Sequence, residues 1–99
     1  MTAPFAARGH ATTLTALGRT YLGGGRDSAA RAALARADAL RPDDPATLFE
    51  LGAAHHRCGK RDEAVSALER TLQLSGGHAG ASRLLEKIAE PNKARKNAS

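Results

Sequence analysis

The sequence contains no tryptophan, one tyrosine and two phenylalanines, so only Phe5, Tyr21 and Phe49 can supply an aromatic ring to a core or a ligand. Cys58 is its single cysteine, which excludes an internal disulfide and fits a reducing compartment. No stretch approaches the ~20 apolar residues of a membrane-spanning helix. Residues Met1 to His10 lack the basic start and apolar run of a secretory signal. β-Branched residues are few, which disfavours strands. These absences lead us to expect a soluble, cytoplasmic chain with no membrane partner.

Alanine and leucine dominate the apolar residues instead. Both are strong helix formers, and alanine lets helices approach closely, so the composition is that of an all-α fold. A chain of 99 residues makes one domain. At that size roughly 60–65% of the unfolded surface is buried, enough for a modest core but not for a deep enclosed cavity. The formal charge is +5 and the pI about 10.1. Much of the excess lies in Lys93, Arg95 and Lys96, which follow Pro91. We therefore expect a flexible N-terminal arm over 1–10, a folded region over 11–90 and a basic flexible tail over 91–99. The bias toward alanine, arginine and glycine points to a GC-rich, bacterial genome.

The main signal is an internal repeat. Aligning Ala11 with Pro45 superposes residues 11–44 on 45–78 at an offset of 34 residues without a gap. Thr13/Thr47, Leu14/Leu48, Leu17/Leu51, Gly18/Gly52, Gly25/Gly59, Ala30/Ala64, Ala33/Ala67, Leu34/Leu68, Arg36/Arg70 and Leu40/Leu74 are identical. Leu14, Leu17 and Tyr21 share one face of a helix. Gly18 inside that helix implies a neighbour too close for a side chain, with Ala30 as the matching small surface. Gly25 supplies a left-handed turn, and Asp44-Pro45 reads as a helix cap followed by proline at the first helical position. Five helices are expected, over 11–23, 27–40, 45–57, 61–74 and 79–90.

A 34-residue period carrying Leu14, Leu17-Gly18, Tyr21, Ala30, Leu34 and Pro42 resembles the tetratricopeptide repeat, or TPR. The second copy reads Leu48, Leu51-Gly52, His55, Ala64 and Leu68, with histidine in place of tyrosine and Gly76 in place of proline. The resemblance implies an α-solenoid of two helix–turn–helix repeats, 11–44 and 45–78, closed by a capping helix over 79–90. It also implies protein recognition, as an adaptor, assembly factor or chaperone-like module, and no enzymatic activity.

The residues themselves give little support to catalysis, cofactors or metal. Gly23-Gly24-Gly25 is followed by Arg26-Asp27-Ser28 and lacks the lysine and hydroxyl residue of a phosphate loop. His55 and Cys58 share a helical face, but adjacent His55 and His56 diverge by about 100°, and a structural zinc needs four ligands. A Cys58 nucleophile with His55 as base has no third group to orient it. Nucleic acid is a weak alternative, because single-strand binding couples basic grooves to aromatic platforms that this chain lacks.

In the family, the first helix of each repeat lines a concave surface where partner segments bind. Transferred here, that geometry places Thr12, Thr15, Ala16 and Arg19 on the groove from the first repeat. The second repeat adds Phe49, Glu50, Ala53, His56 and Arg57, and the closing helix adds Arg83, Leu84 and Lys87. Such a groove favours an acidic segment with an apolar anchor, with Phe49, Arg19 and Arg57 as the leading contacts. The two-carboxylate clamp of chaperone-binding relatives is absent, since Thr15, Arg19, Glu50, Gly80 and Leu84 occupy its positions. Self-association through the repeat ends is the alternative, making the chain a building block of a homo-oligomer.

Overall fold

The computed structural model describes the backbone over residues 3–98 and side chains over residues 9–89. It contains α1 (Ala3–Gly23), α2 (Asp27–Leu40), α3 (Pro45–Arg57), α4 (Arg61–Leu74) and α5 (Ala79–Ala98). No strand occurs among the described residues. The middle three helices have the expected bounds. The outer two are longer than expected: α1 begins at Ala3 rather than Ala11, and α5 runs past Pro91 to Ala98. Proline marks a probable helix boundary but does not enforce one.

Each repeat is a pair of antiparallel helices joined by the same turn. Gly25 and Gly59 adopt φ of 76° and 79°. This left-handed step lets Arg26 N–H reach the Tyr21 carbonyl at 2.8 Å and Gly25 N–H reach that of Leu22 at 3.1 Å. One period later Lys60 N–H bonds the His55 carbonyl at 2.8 Å and Gly59 N–H that of His56 at 3.0 Å. Both are Schellman closures, which satisfy the last carbonyls of a helix. Helix starts repeat too. Asp44 Oδ1 accepts from Ala46 N–H at 3.1 Å. At the same repeat position, His78 Nδ1 accepts from Ala81 N–H at 3.0 Å.

Packing explains the two helical glycines. A Cβ on Gly52 would meet Leu68 Cγ at 2.8 Å, and one on Gly18 would overlap Leu34 more severely. The close neighbour is therefore this leucine rather than Ala30. Leu34 and Leu68 are fully buried, each worth roughly 1.5–3 kcal/mol in removed apolar surface. Stacking follows the same period. Leu51 packs with Leu22, Ala30, Leu34 and Ala54, and Leu85 packs against Ala64, Leu68, Ala81 and Ile88.

Both ends of the stack depart from this pattern. Leu17 occupies the position of Leu51 and Leu85 but is 40% exposed. Beside it, the hydroxyls of Thr13 and Thr20 donate back to the Gly9 and Ala16 carbonyls. At the other end, exposed Glu86 stands in α5 where Gly18 and Gly52 stand in α1 and α3. α5 thus lacks the glycine that admits the second helix in each repeat.

The glycine contacts predict opposite effects of one substitution. Gly18→Ala should lower stability by roughly 1–2 kcal/mol, overpacking outweighing alanine's helical advantage. Gly9→Ala, where a Cβ meets nothing within 4 Å, should raise it by roughly 0.5–1 kcal/mol. Urea unfolding of the two variants checks the sign; an increase in both would contradict the packing assignment.

Candidate functional site

The first helices of the repeats form an inner row. α1 touches α3 and α3 touches α5, whereas α2 and α4 do not touch each other. The stack is therefore tight along α1, α3 and α5 and open along α2 and α4, which places the concave side on the first helices.

Two clefts lie on that row. One, of about 220 Å³, is lined by Thr12, Thr15, Ala16, Arg19, Arg41, Asp44 and Ala46. The other, of about 330 Å³, lies between α3 and α5 and is lined by Ala53, His56, Arg57, Leu84 and Lys87. Their chemistry differs. In the first, Arg19 Nε donates to Glu50 Oε2 at 2.9 Å, and Arg41 Nη1 lies 3.7 Å from Asp44 Oδ2. Both arginines are thus neutralised within the fold. In the second, Arg57 Nε sits 3.0 Å from Asp27 Oδ1. That contact is an ion pair without an aligned hydrogen bond. His56 and Lys87 have no ion-pair partner among the described residues.

Several groove residues expected from sequence do other work. Thr15 is 8% exposed. Its hydroxyl bonds Thr47 Oγ1 at 2.8 Å and donates to the Ala11 carbonyl at 3.0 Å. Phe49 is not an exposed anchor. Its half-buried ring lies 4.8 Å from the His78 ring and would contact any Cβ on Gly80 at 3.0 Å. Thr15 and Phe49 share one repeat position, and it faces the first helix of the following repeat. Arg83 holds the same position on α5 and is exposed at the end of the stack, and it lines neither cleft. Glu50 is not a free charge, since its side chain is only 15% exposed and holds Arg19. Of the expected groove residues, the larger cleft brings together Ala53, His56, Arg57, Leu84 and Lys87. Sequence reasoning missed Asp27 as the counter-charge of Arg57, an ion pair across repeats that carries no local spacing signal, and also missed the local Arg41–Asp44 contact at i, i+3.

The tetratricopeptide-repeat family profile matches residues 47–93, most of the second repeat and of α5. Over those residues the chain belongs to the tetratricopeptide-repeat family. The first repeat joins the second through their shared 34-residue period and the same glycine–leucine packing. A search of curated proteins gave no match. TPR families are non-catalytic protein-interaction repeats. Among the described residues of this TPR protein, no three His, Cys, Asp or Glu side chains converge as a metal site would require, and no helix is long and apolar enough to cross a membrane. Cys58 is partly covered at the C-cap of α3.

His55 takes the position held by Tyr21 in the first TPR, and its Nδ1 is buried without a hydrogen bond inside the protein. Burial foremost, then the positive charge of Arg31, lowers its pKa from the ordinary 6.5; Lys60 adds to this and Glu63 opposes it. The unfolded chain thus binds a proton that the folded chain refuses. Stability should fall as the pH drops below about 6.5 and level off once the pH passes the folded value. His55→Gln should flatten the slope of the urea midpoint between about pH 7 and pH 5. An unchanged slope would place the linkage elsewhere.

Proposed function

We propose that this chain is a non-enzymatic protein-interaction module that holds an acidic segment of a partner polypeptide on its concave row. The observation that carries this reading is the open cleft between α3 and α5, where His56, Arg57 and Lys87 surround an apolar floor. Its volume of about 330 Å³ suits one or two side chains of an extended segment better than an enclosed small-molecule site. Arginines already paired inside the fold contribute less to an incoming anion than groups that no described residue pairs, which shifts the leading contacts from Arg19 and Phe49 to Lys87 and His56. Acidic partners would be steered by the overall positive charge, with association slowing as salt rises.

Testing this reading requires a variant that spares the fold. Phe49, Arg19 and Arg57 are poor choices, since each holds a neighbouring element. Ala53→Glu with Lys87→Glu changes two exposed or half-buried groove positions and reverses the local charge. Affinity capture from the source lysate, with nuclease present, should lose its protein ligand by at least about tenfold in this variant, while circular dichroism stays unchanged. Equal capture by both proteins would move the interface away from the concave row.

Self-association has one observation in its favour, the exposed Leu17 at the position that Leu51 and Leu85 bury elsewhere. The flanking Thr13 and Thr20 make that face mostly polar, so we rank it second. Light scattering across a concentration series separates the two readings. A stable oligomer dispersed by Leu17→Ser would favour stacking of copies.

A further inference from the structure

The repeat period allows the two clefts to be compared residue by residue. Position for position, Arg19 on α1 corresponds to Ala53 on α3, and Glu50 on α3 corresponds to Leu84 on α5. The diagonal from Arg19 to Glu50 is closed by an ion pair at 2.9 Å. Its counterpart one period later runs from Ala53 to Leu84, and both residues line the larger cleft. An ion pair in the first step has thus been replaced by a small and an aliphatic residue in the second. This exchange opens the larger cleft and gives it an apolar floor.

Charge follows the same division. Arg19 and Arg41 are answered by Glu50 and Asp44 on the α1–α3 side. On the α3–α5 side, Arg57 is answered by Asp27, while Lys87 and His56 stand on the rim without an ion-pair partner among the described residues. One end of the groove is therefore neutral and partly filled, and the other is open, apolar at its floor and cationic at its rim.

We infer that the groove is polarised: the α3–α5 cleft takes an adjacent aliphatic–acidic residue pair of a partner polypeptide, and the α1–α3 cleft takes uncharged residues. The aliphatic side chain rests on Ala53 and Leu84, and the carboxylate meets Lys87 and His56. Charge complementarity selects the acid, and the apolar floor selects the neighbour. A phosphate backbone would match the rim but leave Ala53 and Leu84 unused. This inference rests on the concave-row reading and assigns the place and chemistry of recognition within it.

Amide-resolved NMR titration of the full chain with two synthetic octapeptides tests it. One carries a central Leu-Glu pair and the other Leu-Gln, in an otherwise identical Gly/Ser background, each taken to about 10 mM to reach millimolar affinities. The Leu-Glu peptide should shift the amides of Ala53, His56, Leu84 and Lys87 and bind about fivefold more tightly than Leu-Gln at low salt. Lys87→Gln should abolish the preference, whereas the charge-neutral pair Arg19→Gln with Glu50→Gln should leave it intact. Equal affinities, or shifts confined to Thr12, Ala16 and Arg19, would overturn the polarity while leaving concave recognition standing. Absence of shifts on the concave row with either peptide would overturn both. Shifts at these residues with a thymidine decamer but with neither peptide would assign the rim to nucleic acid and overturn the inference.

Discussion

The rest of the structure depends on how closely the two helices of each repeat can approach. Gly18 against Leu34, and Gly52 against Leu68, leave no room for a Cβ, and both leucines are fully buried. A glycine inside a helix costs about 1 kcal/mol relative to alanine, so its recurrence 34 residues apart marks a tertiary requirement. Close approach lets one leucine serve two neighbours. Leu34 fills the gap behind α1 and also meets Leu51 on the following repeat, so the contact that joins a pair also sets where the next pair sits.

From that spacing the concave row follows. First helices contact one another and second helices do not, so polar residues on the inner faces of α1, α3 and α5 are brought within reach across repeats. Arg19 with Glu50 and Thr15 with Thr47 form across the α1–α3 step. Exposed ion pairs of this kind add little to stability, and their larger effect is to settle which inner-row charges are already satisfied. The step to α5 has neither pair. Its diagonal is Ala53 and Leu84, its rim is His56, Arg57 and Lys87, and the site proposed for a partner is this difference between two otherwise parallel steps.

Much of this was legible in the sequence, and the reasons differ by residue. Helices α2, α3 and α4 were fixed by local chemistry: Gly25 and Gly59 at positive φ, and Asp44 capping ahead of Pro45. The outer bounds of α1 and α5 lay where no glycine or cap marks a stop, and Pro91 was over-read as one. For the groove, the family resemblance implies that the first helices line it but does not say which side chains are consumed by the fold. Phe49 is an aromatic on the face where the resemblance expects partner contacts, yet His78 at the start of α5 and Gly80 within it receive its ring. Arg83 has the same periodic address and is exposed. Burial of a shared repeat position depends on whether a next repeat exists, which spacing alone does not encode.

The central physical claim is that each inner glycine exists to admit the leucine behind it. A double-mutant cycle on Gly52→Ala and Leu68→Ala tests it most directly, by urea unfolding with trimethylamine N-oxide added so that all four proteins fold. If the added methyl group is harmful only because Leu68 is there, removing Leu68 relieves it. The two substitutions should then couple by about 1 kcal/mol or more in the relieving direction. Additivity within about 0.5 kcal/mol would show that Gly52 does not answer to Leu68, and the spacing that builds the concave row would need another cause.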